Sequence, residues 1–550
     1  MKHIAMAVLM TISSSVFAAS WPQFGCDATH KSATYDIAPR DLTAAVMAAS
    51  APLGITDGSG IVALGGRVYA FSGASPTSIL YCLDAATLDV IWSNTVDVAD
   101  LGWGSWGTPA VSTSCVVYAA EDFLGCWNLD GSLRWETDIP RTLNSSPVIA
   151  GDRVIVGAFS YMNATGGVAA CELGTGSQLW YSAVIPNGAF SCCTPAIDEA
   201  AGVGYACASN QVWQFSLATG AVTWQTNLPG DSLQNVSLAG GTLLVVNYDF
   251  MYAETNLFAL NASNGSNLWA GACGMSDVAP AVYAGTVVHS CGDNAVPPAL
   301  TAFDLATGSN LWTREGYGNV GSMPAISKGY VYAGVGVYAG WALSHFSNAA
   351  VVSIADGSVF RAPQDLLGGW SPAIADDALL AANGGTVYAY RWPSAQLDVS
   401  AFSASILLEK IARDKAKVKA ALAIGPEITN WLGEPITLGV GGIPFVVESV
   451  GLVRVKEKGG QLKRATLGIR QGTLKMKMRW SAARQTLDIK AVVSKANFTG
   501  LLPYKETDGS VNADIVTMFR AGDYSYSARS TDLVALETKK GKVSAWYKAK

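Results

Sequence analysis

The feature that most constrains this 550-residue chain is an aromatic landmark that returns at a nearly fixed interval. It closes "LDAATLDVIW" at Trp92, "WNLDGSLRW" at Trp135, "CELGTGSQLW" at Trp180 and "FSLATGAVTW" at Trp224. It returns in "LNASNGSNLW" at Trp269, "FDLATGSNLW" at Trp312 and the degenerate "VSIADGSVF" at Phe360. The steps are 43, 45, 44, 45, 43 and 48 residues. A period near 44, built of short apolar runs and Gly-rich turns, is the signature of a propeller blade. Four residues before the tryptophan stand Gly131, Gly176, Gly220, Gly265 and Gly308, where a tight hairpin turn needs positive φ. Ten residues before the aromatic stand Cys82, Gly125, Ala170, Gln214, Ala259, Ala302 and Ala350. All but Gln214 are small, so the tryptophan of one blade is expected to cover the backbone near this slot in its neighbour.

A second landmark marks the start of each unit: "GTPAV" (107–111), "SSPVI" (145–149), "CTPAI" (193–197), "VAPAV" (278–282), "SMPAI" (322–326) and "WSPAI" (370–374). Proline is tolerated at the first residue of a strand, and the apolar pair after it suits an inner strand. With the weaker "GSGIV" at 58–62 and "NVSLA" at 235–239 there are eight starts. The eighth unit has three strands and stops at Trp392, so a strand from the N-terminal segment after Trp21 is expected to complete it. Such closure removes free sheet edges. The fold class is therefore all-β: an eight-bladed β-propeller followed by a smaller β-sandwich or barrel-like domain.

The opening "WPQFGCDATHKSATY", the repeated A-x-D-x-x-T-G-x-x-x-W and the [ST]-P-A-[VI] strand start resemble the pyrroloquinoline-quinone-type repeat proteins over residues 20–395. The resemblance implies an eight-bladed propeller. It also implies a choice of roles, because that family includes quinone-dependent dehydrogenases, an outer-membrane assembly lipoprotein and exported propellers without a cofactor. In the dehydrogenases a vicinal disulfide lies against the quinone, a tryptophan supports its other face, and Glu, Asn and Asp hold calcium. The corresponding candidates are Cys192 and Cys193, Trp106 or Trp370, and Asn235, with Asp277 as candidate base. These residues just precede the strand starts, or in Asn235 lie at one, and so should crowd one mouth of the channel.

The departures favour a structural reading. Thr194-Pro195 follows the cysteine pair at once, where the enzymes place several residues and an Asp/Arg-Gly motif. No carboxylate cluster for calcium, which takes about six to eight oxygens, accompanies these positions. Cys82 fills a slot otherwise occupied mostly by Ala and Gly, which makes at least one cysteine a small core residue. A turn at 199–202 would bring Cys193 beside Cys207, where a cross-strand disulfide could staple one blade. His289 and His345 lack a Gly-x-Ser-x-Gly partner, and "GTGSQ" and "ATGSN" read as hairpin turns rather than phosphate loops.

Residues 1–18 read as a signal peptide: Lys2 and His3, an apolar run, then "VFA" before a cut after Ala18. A periplasmic or secreted protein is expected. The apolar stretch 329–343 is shorter than the ~20 residues of a spanning helix and reads as strands. All ten cysteines precede residue 292, without ligand spacing for a metal.

Charge divides the chain. Residues 396–550 hold 25 Lys+Arg against 14 Asp+Glu, a net of +11, while 1–395 hold 11 against 28, a net of −17. Segments such as "TLKMKMRW" and "QTLDIKAVV" alternate apolar and polar residues as half-buried strands do, and "ASILLEKIARDKAKV" (404–418) fits a short helix or two strands. The expected domains are 19–395, the propeller, and 396–550, a basic β-domain. The basic surface suits an anionic cell-surface polymer, whereas nucleic acid is not expected, since no aromatic-interleaved basic groove is present. The resulting expectation is an exported, non-catalytic interaction scaffold with an unknown protein or polysaccharide partner. The alternatives are a dehydrogenase dependent on pyrroloquinoline quinone and calcium, and a carbohydrate-binding protein using Trp106 and Trp370.

Overall fold

A computed structural model describes residues 20–391, apart from 35, 37, 40–41, 43–44, 56–59, 73–76, 98–106, 249–254, 293–296, 328, 340–341, 360–370 and 377, and describes as backbone the strands lying between 399 and 548. The proposed signal peptide, Trp106, Trp370 and Trp392 lie outside the described residues. The chain divides into two compact units, one of them Ala19–Pro393. Every regular element among the described residues is a strand.

The first unit is an eight-bladed propeller. Blade four shows the plan. Ala196–Asp198, Val203–Ala208, Gln211–Ser216 and Val222–Asn227 pair antiparallel in that order, from the channel outward. Blade two condenses its middle hairpin into one long strand, Cys115–Asn128, bent at Glu121 with φ 55°. In blade seven, among the described residues, Val359 makes an isolated bridge to Val352 where the outer strand belongs. The stretch 329–343 falls in this blade's strands Tyr330–Ala339 and Ala342–Ser353. Blade eight has three strands of its own, and Val46–Ala49 pairs antiparallel with Thr386–Arg391 as the fourth, so the chain's beginning closes its end.

The blades dock through the repeated tryptophan. Indole Nε1 of Trp92, Trp135, Trp180, Trp224, Trp269 and Trp312 donates to a turn carbonyl of the next blade at 2.8–3.0 Å. The same ring lies over that blade's turn glycine: a Cβ on Gly131, Gly176, Gly220, Gly265, Gly308 or Gly357 would sit 2.5–2.8 Å from it. Positive φ and this close approach together require glycine. The small slot has a different job from the one expected. Ala170, Ala259 and Ala302 lie directly across from the tryptophan of their own blade, Trp180, Trp269 and Trp312. Blade two has a shorter turn, so Cys126 rather than Gly125 faces Trp135.

The N-terminal segment does more than close blade eight. Residues 21–34 run round the inside of the ring as a strap. Main-chain N–H groups of Val111, Ile197, Leu238, Val282 and Ile326 donate to carbonyls of Pro22, Ala28, Thr29, Lys31 and Ser32 at 2.6–2.8 Å. Ile149 N–H donates to Gln23 Oε1 at 3.0 Å. Trp21 forms a reciprocal bridge with Ala63, and Ala33–Thr34 pairs parallel with Ala325–Ser327. Seven blades are thus tied to one strap, and the innermost sheet edges receive partners they would otherwise lack.

The other unit contains residues 394–550. Its backbone pairs strands into a nine-stranded and a four-stranded antiparallel sheet. The segment 404–418 falls in two strands, Val399–Leu408 and Asp414–Ala423, paired through Phe402 and Ala420.

Candidate functional site

The strand-start motif builds one mouth of the channel. Its proline leaves no N–H of its own, while the preceding Ser or Thr reaches sideways to the adjacent blade. Thr108 N–H donates to Ser146 Oγ (2.9 Å), Ser146 N–H to Thr194 Oγ1 (3.0 Å), and Thr194 N–H to Asn235 Oδ1 (2.9 Å). Asn235 Nδ2 then donates to the carbonyls of Asp277 (2.6 Å) and Cys192 (3.2 Å). This relay crosses five blades, two through six, and fixes the polar rim.

Inside the rim lies a cavity of about 40 Å³. Blades two to eight contribute Thr108, Asn144, Ser146, Cys192, Asn235, Asp277, Gly321 and Ser371, and the strap contributes Phe24. The ring of Phe24 packs with Val278, Ala279 and Met323 and meets His30 edge-on at 5.1 Å. About 10–15 Å³ of such volume holds one water, so the cavity takes a few waters.

Three of the expected residues converge here: Cys192, Asn235 and Asp277. Asp277 Oδ1 is closed off from solvent without a hydrogen-bond partner, although the residue as a whole is only part-buried. Burial raises its carboxyl to about 7, because the charged form loses hydration. Burial also pushes the Cys192 thiol up, with the neighbouring Asp277 adding to the effect. Asn144 Nδ2 donates to Cys192 Sγ at 3.5 Å.

Cys193 does not share the site. Its side chain turns away from the channel into the core of blade four, where Cys207 N–H donates to its Sγ at 3.3 Å. The pair is held by Ser191, whose Oγ donates to the carbonyls of Cys207 and Leu233 (both 3.1 Å), and by Gln234, whose Oε1 accepts from Cys192 N–H at 2.8 Å. Both thiols are free. Trp106 and Trp370 fall outside the described residues. His289 is buried, with Nε2 within 2.9 Å of the Gly274 carbonyl, and burial lowers it to about 4.

Asn144 and Phe24 escaped the sequence reading. A signal for Asn144 exists in the polar run "LNSSP" ahead of the third strand start. Phe24 offered none, because only the ring geometry brings residue 24 beside residues 278 and 323.

A flat three-ring quinone does not fit the described cavity. Phe24 is part of its wall, the volume is that of a few waters, and the two sulfurs diverge instead of presenting one face. Among the described residues no group of three or more His, Cys, Asp or Glu could hold a metal ion.

Comparison with known proteins places the fold in a family. The family profile described as outer membrane protein assembly factor BamB matches residues 76–238 and 208–362, together just over half of the chain. The chain belongs to this pyrroloquinoline-quinone-type repeat family. No curated protein matches it. Among solved structures, BamB from Moraxella catarrhalis is 16% identical, covering 63% of this chain and all of that one, with a TM-score of 0.48. Quinohemoprotein alcohol dehydrogenase from Comamonas testosteroni is 13% identical, covering 90% of this chain and 82% of that one, at 0.50. A europium-containing methanol dehydrogenase is 13% identical, covering 75% and 92%, at 0.49. At such identity the likeness is one of fold alone, and a fold does not fix a role, so the role is argued from the site.

Proposed function

We propose that this repeat-family chain is an exported, non-catalytic propeller that serves as an interaction scaffold, with residues 396–550 forming a sandwich or barrel-like domain that docks on an anionic polymer. The observation that carries this reading is the strap. The inside of the ring, where a cofactor of the resembling enzymes would lie, is lined by the chain's own residues 21–34, and Phe24 lines the small rim cavity. A ring so tied is stiff, and stiffness suits a surface that presents loops to another protein. The match to an assembly-factor profile agrees with such a role and with export.

The quinone-dependent reading keeps one observation in its favour: the buried Asp277 carboxyl beside Asn235 and Asn144. One titration separates the two. Purified protein is mixed with pyrroloquinoline quinone and calcium, then assayed for a retained chromophore and for dye reduction with alcohols or glucose. The scaffold reading expects neither. A stoichiometric chromophore together with alcohol-dependent dye reduction would sink it.

A further inference from the structure

We propose that Cys193 and Cys207 form a disulfide within blade four when the protein meets a disulfide oxidant, leaving Cys192 as the thiol of the channel mouth. The inference stands on the geometry of the blade and is independent of the scaffold reading. Cys193 stands three residues before the inner strand Ala196–Asp198, and Cys207 lies on the adjacent strand Val203–Ala208. Extending the register, Ala196 against Tyr205 and Asp198 against Val203, sets Thr194 opposite Cys207, so Cys193 stands one residue from the position that faces Cys207. The sulfur of Cys193 already points at Cys207, accepting its main-chain N–H at 3.3 Å, and both side chains lie in the same buried core cluster. Cys192, one residue earlier, faces the opposite way, toward Asn144.

Alternation of side chains along an extended segment explains the divergence. It also makes the two oxidation products exclusive. A Cys192–Cys193 ring would have to pull Cys193 out of the core it shares with Ala196, Ala206 and Trp213. A Cys193–Cys207 bond keeps it there. The reaction is thiol–disulfide exchange: the two cysteines lose two protons and two electrons, and the oxidant disulfide is reduced to two thiols. Both sulfurs are buried in the finished blade, so the bond forms while the blade is still assembling.

The test is oxidative refolding of the full chain with oxidised and reduced glutathione, followed by denaturation in N-ethylmaleimide and digestion with chymotrypsin without reductant. Cleavage after Phe190, Tyr205 and Trp213 separates the peptide Ser191–Tyr205 from Ala206–Trp213. The expected result is these two peptides joined, with one alkylated cysteine in the first, in the wild type and in Cys192→Ser alike. Cys193→Ser should release them. Should that variant not fold, the wild-type and Cys192→Ser maps decide. Full alkylation of Cys193 and Cys207 after refolding would overturn the proposal, as would a ring closed between Cys192 and Cys193.

Discussion

At the scale of single residues, one indole and one glycine carry each joint between blades one to seven. Trp312 is nearly buried, donates to the Ile354 carbonyl at 2.8 Å, and lies on Gly357. Trp312→Ala should cost about 3–5 kcal/mol, the range for deleting a large buried aromatic. Gly308→Ala, at φ 71° and beneath Trp269, should cost about 1–3 kcal/mol from backbone strain, with the ring contact adding to it. Urea unfolding followed by tryptophan fluorescence measures both. Titration gives a second test. Asp277 keeps its proton to about 7 in the folded state against an ordinary value of 3.8, so its contribution favours folding at low pH and is lost as pH rises from 4 to 7. His30 and His289, lowered to about 4 by burial, act in the opposite sense: their contribution is full above 6.5 and lost as pH falls toward 4. Asp277→Asn should therefore be more stable than the wild type at pH 7.5, and the advantage should shrink toward pH 5. An advantage that did not change with pH would mean that Asp277 is ionised throughout.

At the scale of strands, the repeat was legible because each blade carries its own hairpin chemistry. Asp304 shows this, accepting from the N–H groups of Ala306 and Thr307 and from the Thr307 hydroxyl within one turn. Spacing therefore located eight starts and the closing strand. What spacing could not reveal is which side chains bond from one blade to the next. The Ser/Thr of the strand-start motif looked like punctuation, yet Ser146 and Thr194 bond across blades, 38 and 48 residues from their donors. The slot ten residues before the tryptophan was assigned to the wrong neighbour, because one-dimensional order does not tell a cross-strand pair from a pair between blades. In the cysteine pair, the side-by-side placement of Cys193 and Cys207 was legible, since a short turn fixes it. The polar company of Cys192 was not, since Asn144, Asn235 and Asp277 come from three other blades. The strap offers the test at this scale. Removing residues 19–34 should leave the inner strands' N–H groups without acceptors and lower the melting temperature by at least 10 °C, roughly the effect of a few kcal/mol, with faster proteolysis of the inner loops. An unchanged melting temperature would mean that the strap is ornamental.

At the scale of the whole chain, the charge division predicts which part answers to salt. The segment 396–550 carries a net +11 against −17 for the remainder. Docking through it should weaken steeply with salt, since screening at about 0.15 M confines charge attraction to about 8 Å. Full-length protein is expected to sediment with an anionic polysaccharide at low salt and to be released at about 0.3 M, while a chain ending at Pro393 should stay in the supernatant at both. Sedimentation that ignored salt would point to a different kind of contact.

The threading of residues 21–34 has a consequence for timing. Residues 21–34 bond to blades one to seven in turn, so the far end of the stretch, Ser32, finds its partner on blade seven only when Ile326 has been made. A chain delivered N-terminus first must keep that end waiting while the blades gather round it. Closure by Val46–Ala49 on Thr386–Arg391 follows once blade eight is made, and the circle shuts. Anything that binds the waiting stretch, or cuts it, would halt the molecule one step short of being whole.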